Sequence, residues 1–565
     1  LRKAKFDFYG GINENAKGDG RYAVSSEGFY IDSAGSLVKG EGFEEYITAP
    51  GIVTGMWAGV ISDKRIIAYV AGNRFYYYNF DTSAITDAGY TGGGDTAMFY
   101  FGGYLYLLGS SGYYRFDGTS LESVEGYIPL VAVSTLPDGS GTPYESVNML
   151  TPKRRQKFSC DGTSQLFRLA EKGISAVVSV YINGVFTSPD DYAVNTSAGT
   201  VEFLSPPEEG LNNMEITYAM ADSFRSTVLG CKHALLFGSN ADERVFIWGN
   251  SLYPNCRYHT DLADGVPSAE YFPVTGYTYI GNSPIIDIVQ QYDRQLIFTK
   301  NTAYLSYCET RTSLSGQTYL SFPVYPLSGT KGSLICCNGA SVEGMPVSVC
   351  DDGINVWQAT LVESYKNAVC ISDPIKNELL NHIHNNNTRI AVFSDVAGGR
   401  LFLGLPDTLF VYDMKLKCWY KFRGITPLHF CLAFGKVFMS TALGKIYRLS
   451  RSGIEHNASY TTHYCDLGLR GLGSIKDVVL TLTAGDNTKG SITAEYTDGR
   501  RKCRRKQDFS VPVNLSGKTV KLKIPLSIYY TDGVAFTFSS PEGRDLILHS
   551  YEVTYKEKGE LPDGI

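Results

Sequence analysis

Two runs of cations are the most chemically pointed features of the sequence. Arg500, Arg501, Lys502, Arg504, Arg505 and Lys506 follow the turn Thr497-Asp498-Gly499, and Lys153, Arg154, Arg155 and Lys157 form a second cluster. Guanidinium and ammonium groups at this density attract carboxylates and phosphates, so both runs are candidate interaction surfaces for an acidic protein partner or for DNA. No aromatic residue is interleaved among the charges, which argues against a platform on which single-stranded bases stack. The default expectation for either run is a solvated hairpin edge, because edge strands carry Lys and Arg that block misassembly.

Signatures of catalysis are missing. The chain has no GxSxG nucleophile elbow, no HExxH, no GxxxxGK[ST] phosphate loop and no EF-hand run. His382 and His384 stand two apart, which on a helix points them to different faces, so a helix-end or loop pair is expected rather than metal ligands. Ser348, Asp351, Gly353 and Trp357 approach the Asp-box of sialidase-like propeller blades, but the Asp and the Trp are each one residue out of step and the pattern occurs once. Sequence alone cannot pair isolated carboxylates, and hydrolysis by two of them has no positive support. The expectation is a protein that is not an enzyme, with no catalytic, cofactor-binding or metal-binding residues.

The elements that carry these residues read as strands. In 565 residues there are 40 Tyr, 29 Phe and 59 Gly, with 43% hydrophobic and 19% charged positions. Aromatics favour strands and glycines favour tight turns, so the fold class expected is all-β, divided into about three to four domains. A formal charge of −6 argues against gripping nucleic acid over a broad basic face, and suits a surface past which it slides. The twelve cysteines show no CxxC spacing, only the adjacent Cys336 and Cys337, and are expected to be free thiols of a reducing compartment. The opening LRKAKFDFYGG lacks an apolar signal core, and no window approaches the roughly 18 apolar residues of a membrane helix. Without a signal peptide, Asn-x-Ser/Thr triplets such as those at Asn195, Asn386 and Asn457 carry little meaning.

A hairpin recurs seven times: an apolar strand, a short turn, then a second strand carrying aromatics. Its copies start at Arg65, Tyr104, Leu235, Gln295, Pro346, Arg400 and Lys436. Most lie about 40–55 residues apart, the spacing of four-stranded propeller blades. The expected architecture is a β-propeller of about seven blades with an inserted β-sandwich and a C-terminal β-sandwich. Its ranges are an N-terminal arm over 1–50, blades over 51–138, the inserted sandwich over 139–221, further blades over 222–453 and the C-terminal sandwich over 454–565. The arm is expected to close the propeller ring or to reach a neighbour. One short helix is predicted in SDPIKNELLNHI, with Ser372 or Asp373 as N-cap, Pro374 in the first turn, and Ile375, Leu379, Leu380 and Ile383 on one face.

Several stretches resemble a known family. The opening FDFYGGINENAKGDGRYAVSSEGFYIDSAGSLVKGEGFEEY is similar to the start of tail proteins of tailed bacteriophages. CISDPIKNELLNHI followed by RLFLGLPDTLFVYDMKLKCWYKF resembles propeller blades of the tail nozzle, or tail hub, proteins of short-tailed phages, with Ile371, Ser372, Ile375, Leu379, Val411, Tyr412, Asp413 and Trp419 as anchors. YINGV at Tyr181, DYAV at Asp191 and CDLGLRGLGSIKDVVLTLTAG from Cys465 resemble further modules of such proteins. The resemblance implies a structural virion protein of the tail, assembled in the host cytoplasm. It implies a homo-oligomeric ring, most often of six, around a DNA-ejection channel, with portal, adaptor and fibre proteins as partners. Genomic DNA would pass without sequence-specific binding, and no catalytic residue carries over. The alternative is a secreted glycan-binding or glycan-active propeller, which calls for a signal peptide and repeated Asp-boxes. A cytoplasmic propeller of the tryptophan–aspartate repeat kind calls for Gly-His and Trp-Asp pairs in each blade, and these do not occur.

Overall fold

A computed structural model describes residues 1–559 except 8, 240–241, 313–317, 361–366, 385–388, 451–455, 470, 486–487, 499–500 and 542–544. Arg500 and the whole Asn run after the helix, Asn386 included, therefore lie outside the described residues. The protein is mostly β, with many four-stranded antiparallel sheets, a pattern consistent with a β-propeller. The hairpin Lys64–Ala71 to Arg74–Asn79 shows how the sequence dictates such a sheet. Ile66 to Ala71 are buried, and the turn falls on Gly72 and Asn73, whose φ values of 56° and 68° match the right-handed twist of the flanking strands.

Between Val53 and Ser328 four such sheets occur. Three more sets follow: Ser341–Val342 to Ala368–Cys370, Ala391–Asp395 to Cys418–Arg423, and Pro427–Ala433 to Lys445–Ser450. Each of the seven contains one of the recurring hairpins. By compactness the chain divides into two units, residues 1–58, 300–304 and 326–565, and residues 59–299 and 305–325.

In the second unit, a module of two sheets interrupts the series. One sheet has the order Thr142–Pro143, Leu130–Thr135, Lys153–Cys160, Gly210–Ala219, Ala176–Ile182, Val185–Phe186; the other is Leu166–Arg168, Thr200–Phe203, Tyr192–Asn195. Phe158, Phe167, Val180, Val201, Met214 and Ile216 fill the space between them. The first strand begins at Leu130, ahead of the predicted start at 139.

In the first unit, residues 1–50 are not a free arm. Gly42–Thr48 is the fourth strand of the sheet that ends with Lys445–Ser450, pinned by Lys445 to Glu45 (2.6 Å) and Arg448 to Glu44 (2.7 Å). Arg2–Phe6, Phe29–Ile31 and Leu37–Lys39 belong to one sheet of the C-terminal sandwich, with Leu546–Gly559, Leu472–Ala484 and Thr519–Thr531. Ala23–Glu27 joins two structures into one nine-stranded sheet. On one side it meets Cys418–Arg423; on the other follow Ala458–Thr462, Val534–Ser540, Lys489–Thr497 and finally Lys502–Ser510. The sandwich core includes Val478, Leu480, Ile492, Phe536, Phe538 and Tyr551, all essentially inaccessible.

None of the twelve cysteines is in a disulfide. Among the described residues no helix is long and apolar enough to cross a membrane.

Candidate interaction surface

The two cationic runs lie in different surroundings. Lys502–Ser510 is the last strand of the nine-stranded sheet and, among the described residues, is paired on one side only. Residues alternate along it: Lys502, Arg504, Lys506 and Asp508 are exposed, while Cys503, Arg505, Gln507 and Phe509 are half-buried on the opposite face. With a rise of about 3.3 Å per residue the three outward cations stand about 7 Å apart. Their own partners are distant, Glu495 at 3.7 Å from Arg504 and Asp508 at 3.5 Å from Lys506. Arg505 turns inward and donates to the Ser527 carbonyl (3.0 Å). Arg501 is exposed, its amide donating to Asp498 (2.8 Å).

The sheet face that carries these cations continues as two rows of small hydroxyl residues. Register places Ser25, Thr461, Thr537, Thr493 and Lys506 side by side, and in the next row Glu27, Ser459, Ser539, Ser491 and Asp508. Residues directly opposite one another share a face, so each row is a ladder at the interstrand spacing of about 4.8 Å. Thr461 and Thr537 are hydrogen-bonded to each other (3.0 Å). A cleft of about 670 Å³ lies over the second row, floored by Ser459, Ser491 and Ser539 and flanked by Lys489, Lys506 and Asp508. Ser491 is only 8% exposed, yet no hydrogen bond of its hydroxyl occurs among the described residues, nor of those of Ser459 and Ser539. The sequence reading singled out the cations and missed this floor. Its signal was present as Ser-Tyr-Thr at 459–461, Ser-Ile-Thr at 491–493 and Thr-Phe-Ser at 537–539, alternation that sends hydroxyls to one face and apolar groups to the other.

The second run is not a surface of the same kind. Lys153–Cys160 is an interior strand, paired to Leu130–Thr135 and to Gly210–Ala219. Arg154 is buried and forms an ion pair with Glu171; loss of hydration lowers its pKa from the ordinary arginine value. Arg155 donates to the Ile128 carbonyl (3.0 Å) and the Tyr127 hydroxyl (2.9 Å), and its guanidinium lies over the Tyr127 ring. Lys157 faces Glu215 at 3.7 Å, and Lys153 is half-buried. Arg154 and Arg155 are thus committed within the fold, which corrects the expectation that this run is an exposed interaction surface.

Two of the stretches that carry the phage resemblance, the opening and Ile371 to Trp419, meet in the first unit. Trp419 donates its indole N–H to the Ile371 carbonyl (2.8 Å) and packs in one cluster with Ile375, Leu379 and Tyr412. The Ile12 amide donates to the Trp419 carbonyl (2.7 Å), and a Cβ on Gly11 would stand 2.6 Å from that oxygen, so only glycine fits the approach. The helix forms over Lys376–Ile383 behind a 3-10 turn at Asp373–Ile375, but Ser372 does not cap it. The Ser372 hydroxyl instead accepts from the Ile354 amide (2.8 Å). The free helix amides of Asn377 and Glu378 go to the Glu14 carboxylate (2.8 and 3.3 Å), a cap supplied from the other end of the chain.

Of the remaining sequence candidates, Ser348, Trp357 and His384 have structural partners. The Trp357 indole donates to Ser348 (2.8 Å) across one hairpin, and His384 lies 3.3 Å from the Asp351 carbonyl. In the second unit a cleft of about 820 Å³ is lined by Arg244, His259 and Arg311, but Arg244 is held between Asp242 and Asp261, and Arg311 by Glu309 (3.0 Å). Burial pushes the His259 imidazole down to about 4, so the ring is neutral at pH 7. Among the described residues no group of three or more His, Cys, Asp or Glu could hold a metal ion.

No family model and no curated protein matches the chain. Solved structures similar to it are distant. They include a chain of a mitotic checkpoint complex (9% identity, TM-score 0.34, 72% of this chain and 93% of that one). The WD40 domain of SCAP from fission yeast gives 9%, 0.30, 73% and 98% in the same order. Hsv2 of Kluyveromyces lactis gives 8%, 0.24, 66% and 98%.

Proposed function

We propose that the chain is a structural subunit of a tailed-phage virion, a tail nozzle or hub protein whose seven four-stranded sheets are the blades of one β-propeller. Copies of it form a closed ring, most simply of six, around the channel through which genomic DNA leaves. Closed rotational symmetry satisfies a head-to-tail interface on every copy without producing fibres. The partners are portal and adaptor proteins above and fibre proteins outside, and the role needs no catalytic centre. A net charge of −6 suits a conduit that must release phosphates rather than hold them.

One observation carries the reading. The Gly10-Gly11-Ile12-Asn13 stretch, which resembles the start of phage tail proteins, and the Ile371 to Trp419 stretch, which resembles nozzle proteins, form one joint in which Gly11 lies against the Trp419 carbonyl and Glu14 caps the helix between them. The same N-terminal segment completes the last four-stranded sheet, so the joint and that sheet are built as a piece. Electron microscopy of virions from the source phage, with antibody fragments against the inserted module, tests the proposal. Label at the tail axis in closed rings is expected; label absent from purified particles overturns it.

A further inference from the structure

The nine-stranded sheet presents more than a protected edge. Lysines and arginines on an edge strand suffice to repel a second strand, and the outward cations on Lys502–Ser510 serve that purpose. Edge protection does not explain the floor beside them. The hydroxyls of Ser459, Ser491 and Ser539 line the cleft, and among the described residues none of the three makes a hydrogen bond, so each is open to a ligand. Each hydroxyl can both donate and accept, so the floor complements a ligand whose own groups do both. Lys489 and Lys506 flank it, and Arg504 and Lys502 continue the line of positive charge along the strand.

We propose that this face binds an acidic polysaccharide, with ring hydroxyls over Ser459, Ser491 and Ser539 and carboxylates along Lys506, Arg504 and Lys502. Single-stranded nucleic acid fits less well. Phe509 is the sole aromatic side chain in the cleft lining, and it packs against the sandwich core, which leaves no ring on which a base can stack. Asp508 at the cleft margin pairs with Lys506 at 3.5 Å and opposes dense phosphate, while leaving hydroxyl groups an acceptor. The inference does not depend on the virion reading.

Biolayer interferometry with the full chain immobilised, at near-physiological salt, tests it with polygalacturonate, neutral dextran and oligo-deoxythymidine as probes. Polygalacturonate is expected to bind and dextran to bind far more weakly. Lys502→Gln, Arg504→Gln and Lys506→Gln together should weaken polygalacturonate binding at least tenfold. Ser491→Ala with Ser539→Ala should weaken it about fivefold with the charges intact and the melting temperature unchanged. No polygalacturonate binding, or binding indifferent to the serine pair, overturns the proposal. Oligo-deoxythymidine bound as tightly, and lost only with the charge variant, overturns it in favour of a phosphate-binding edge.

Discussion

Arg154 and Arg504 belong to similar runs of basic residues, yet one is locked in a sheet interior and the other stands in solvent. The difference is the position of the strand. Lys153–Cys160 has a neighbour on each side and a second sheet beneath it, so its cations must find partners inside the fold: Glu171 for Arg154, Ile128 and Tyr127 for Arg155. Among the described residues Lys502–Ser510 has one neighbour, and every second side chain faces water. A basic run is therefore a surface only where its strand is an edge, a property of topology that composition does not report.

Substitutions that separate burial from charge press on this contrast. Arg154→Ala should do most, because it leaves Glu171 without its partner; breaking such a pair costs about 3 kcal/mol. Hydrogen exchange over residues 153–160 should then quicken by roughly 100-fold. Arg155→Ala loses its hydrogen bonds to the Ile128 carbonyl and the Tyr127 hydroxyl, an ion pair with Asp264 and a ring contact, and about 1–2 kcal/mol of protection in the same segment is the expected loss. On the edge strand Arg505 is the informative exception, since it alone of the cations there reaches the other sheet. Arg505→Ala should lower the urea stability of the sandwich by about 0.5–1 kcal/mol. Neutralising Lys502, Arg504 and Lys506 together should change stability by less than about 0.5 kcal/mol and instead favour association at high concentration, read by light scattering. A large destabilisation from the triple variant, or none from Arg154→Ala, would break the contrast.

Much of the architecture was legible because strands announce themselves locally. The hairpins starting at Arg65, Arg400 and Lys436 alternate or run apolar up to a turn residue, and each is a hairpin in the structure. Asn183 and Gly184 both take positive φ at the turn read there. What stayed hidden depends on partners far along the chain. Nothing near Ser372 shows that its hydroxyl serves Ile354 while Glu14 takes the helix amides. Nothing in Arg154 itself distinguishes it from Arg504 until the pairing order of strands is known. The serine floor lies between these cases: each Ser-x-Thr or Thr-x-Ser alternation is local, but its meaning comes from register across three strands.

The strand Gly42–Thr48 waits for a partner some 400 residues downstream, the separation of Glu45 from Lys445. At synthesis rates of about 5–20 residues per second, that partner reaches the solvent roughly 20–80 s after the strand does. Ala23–Glu27 waits slightly longer for Ala458–Thr462. Throughout that interval the nascent chain carries unpaired strands that a neighbouring nascent chain on the same message can capture. Domain-swapped pairs are thus the characteristic by-product of densely loaded messages, and a lower initiation rate, which spaces the nascent chains apart, should raise the yield of monomer.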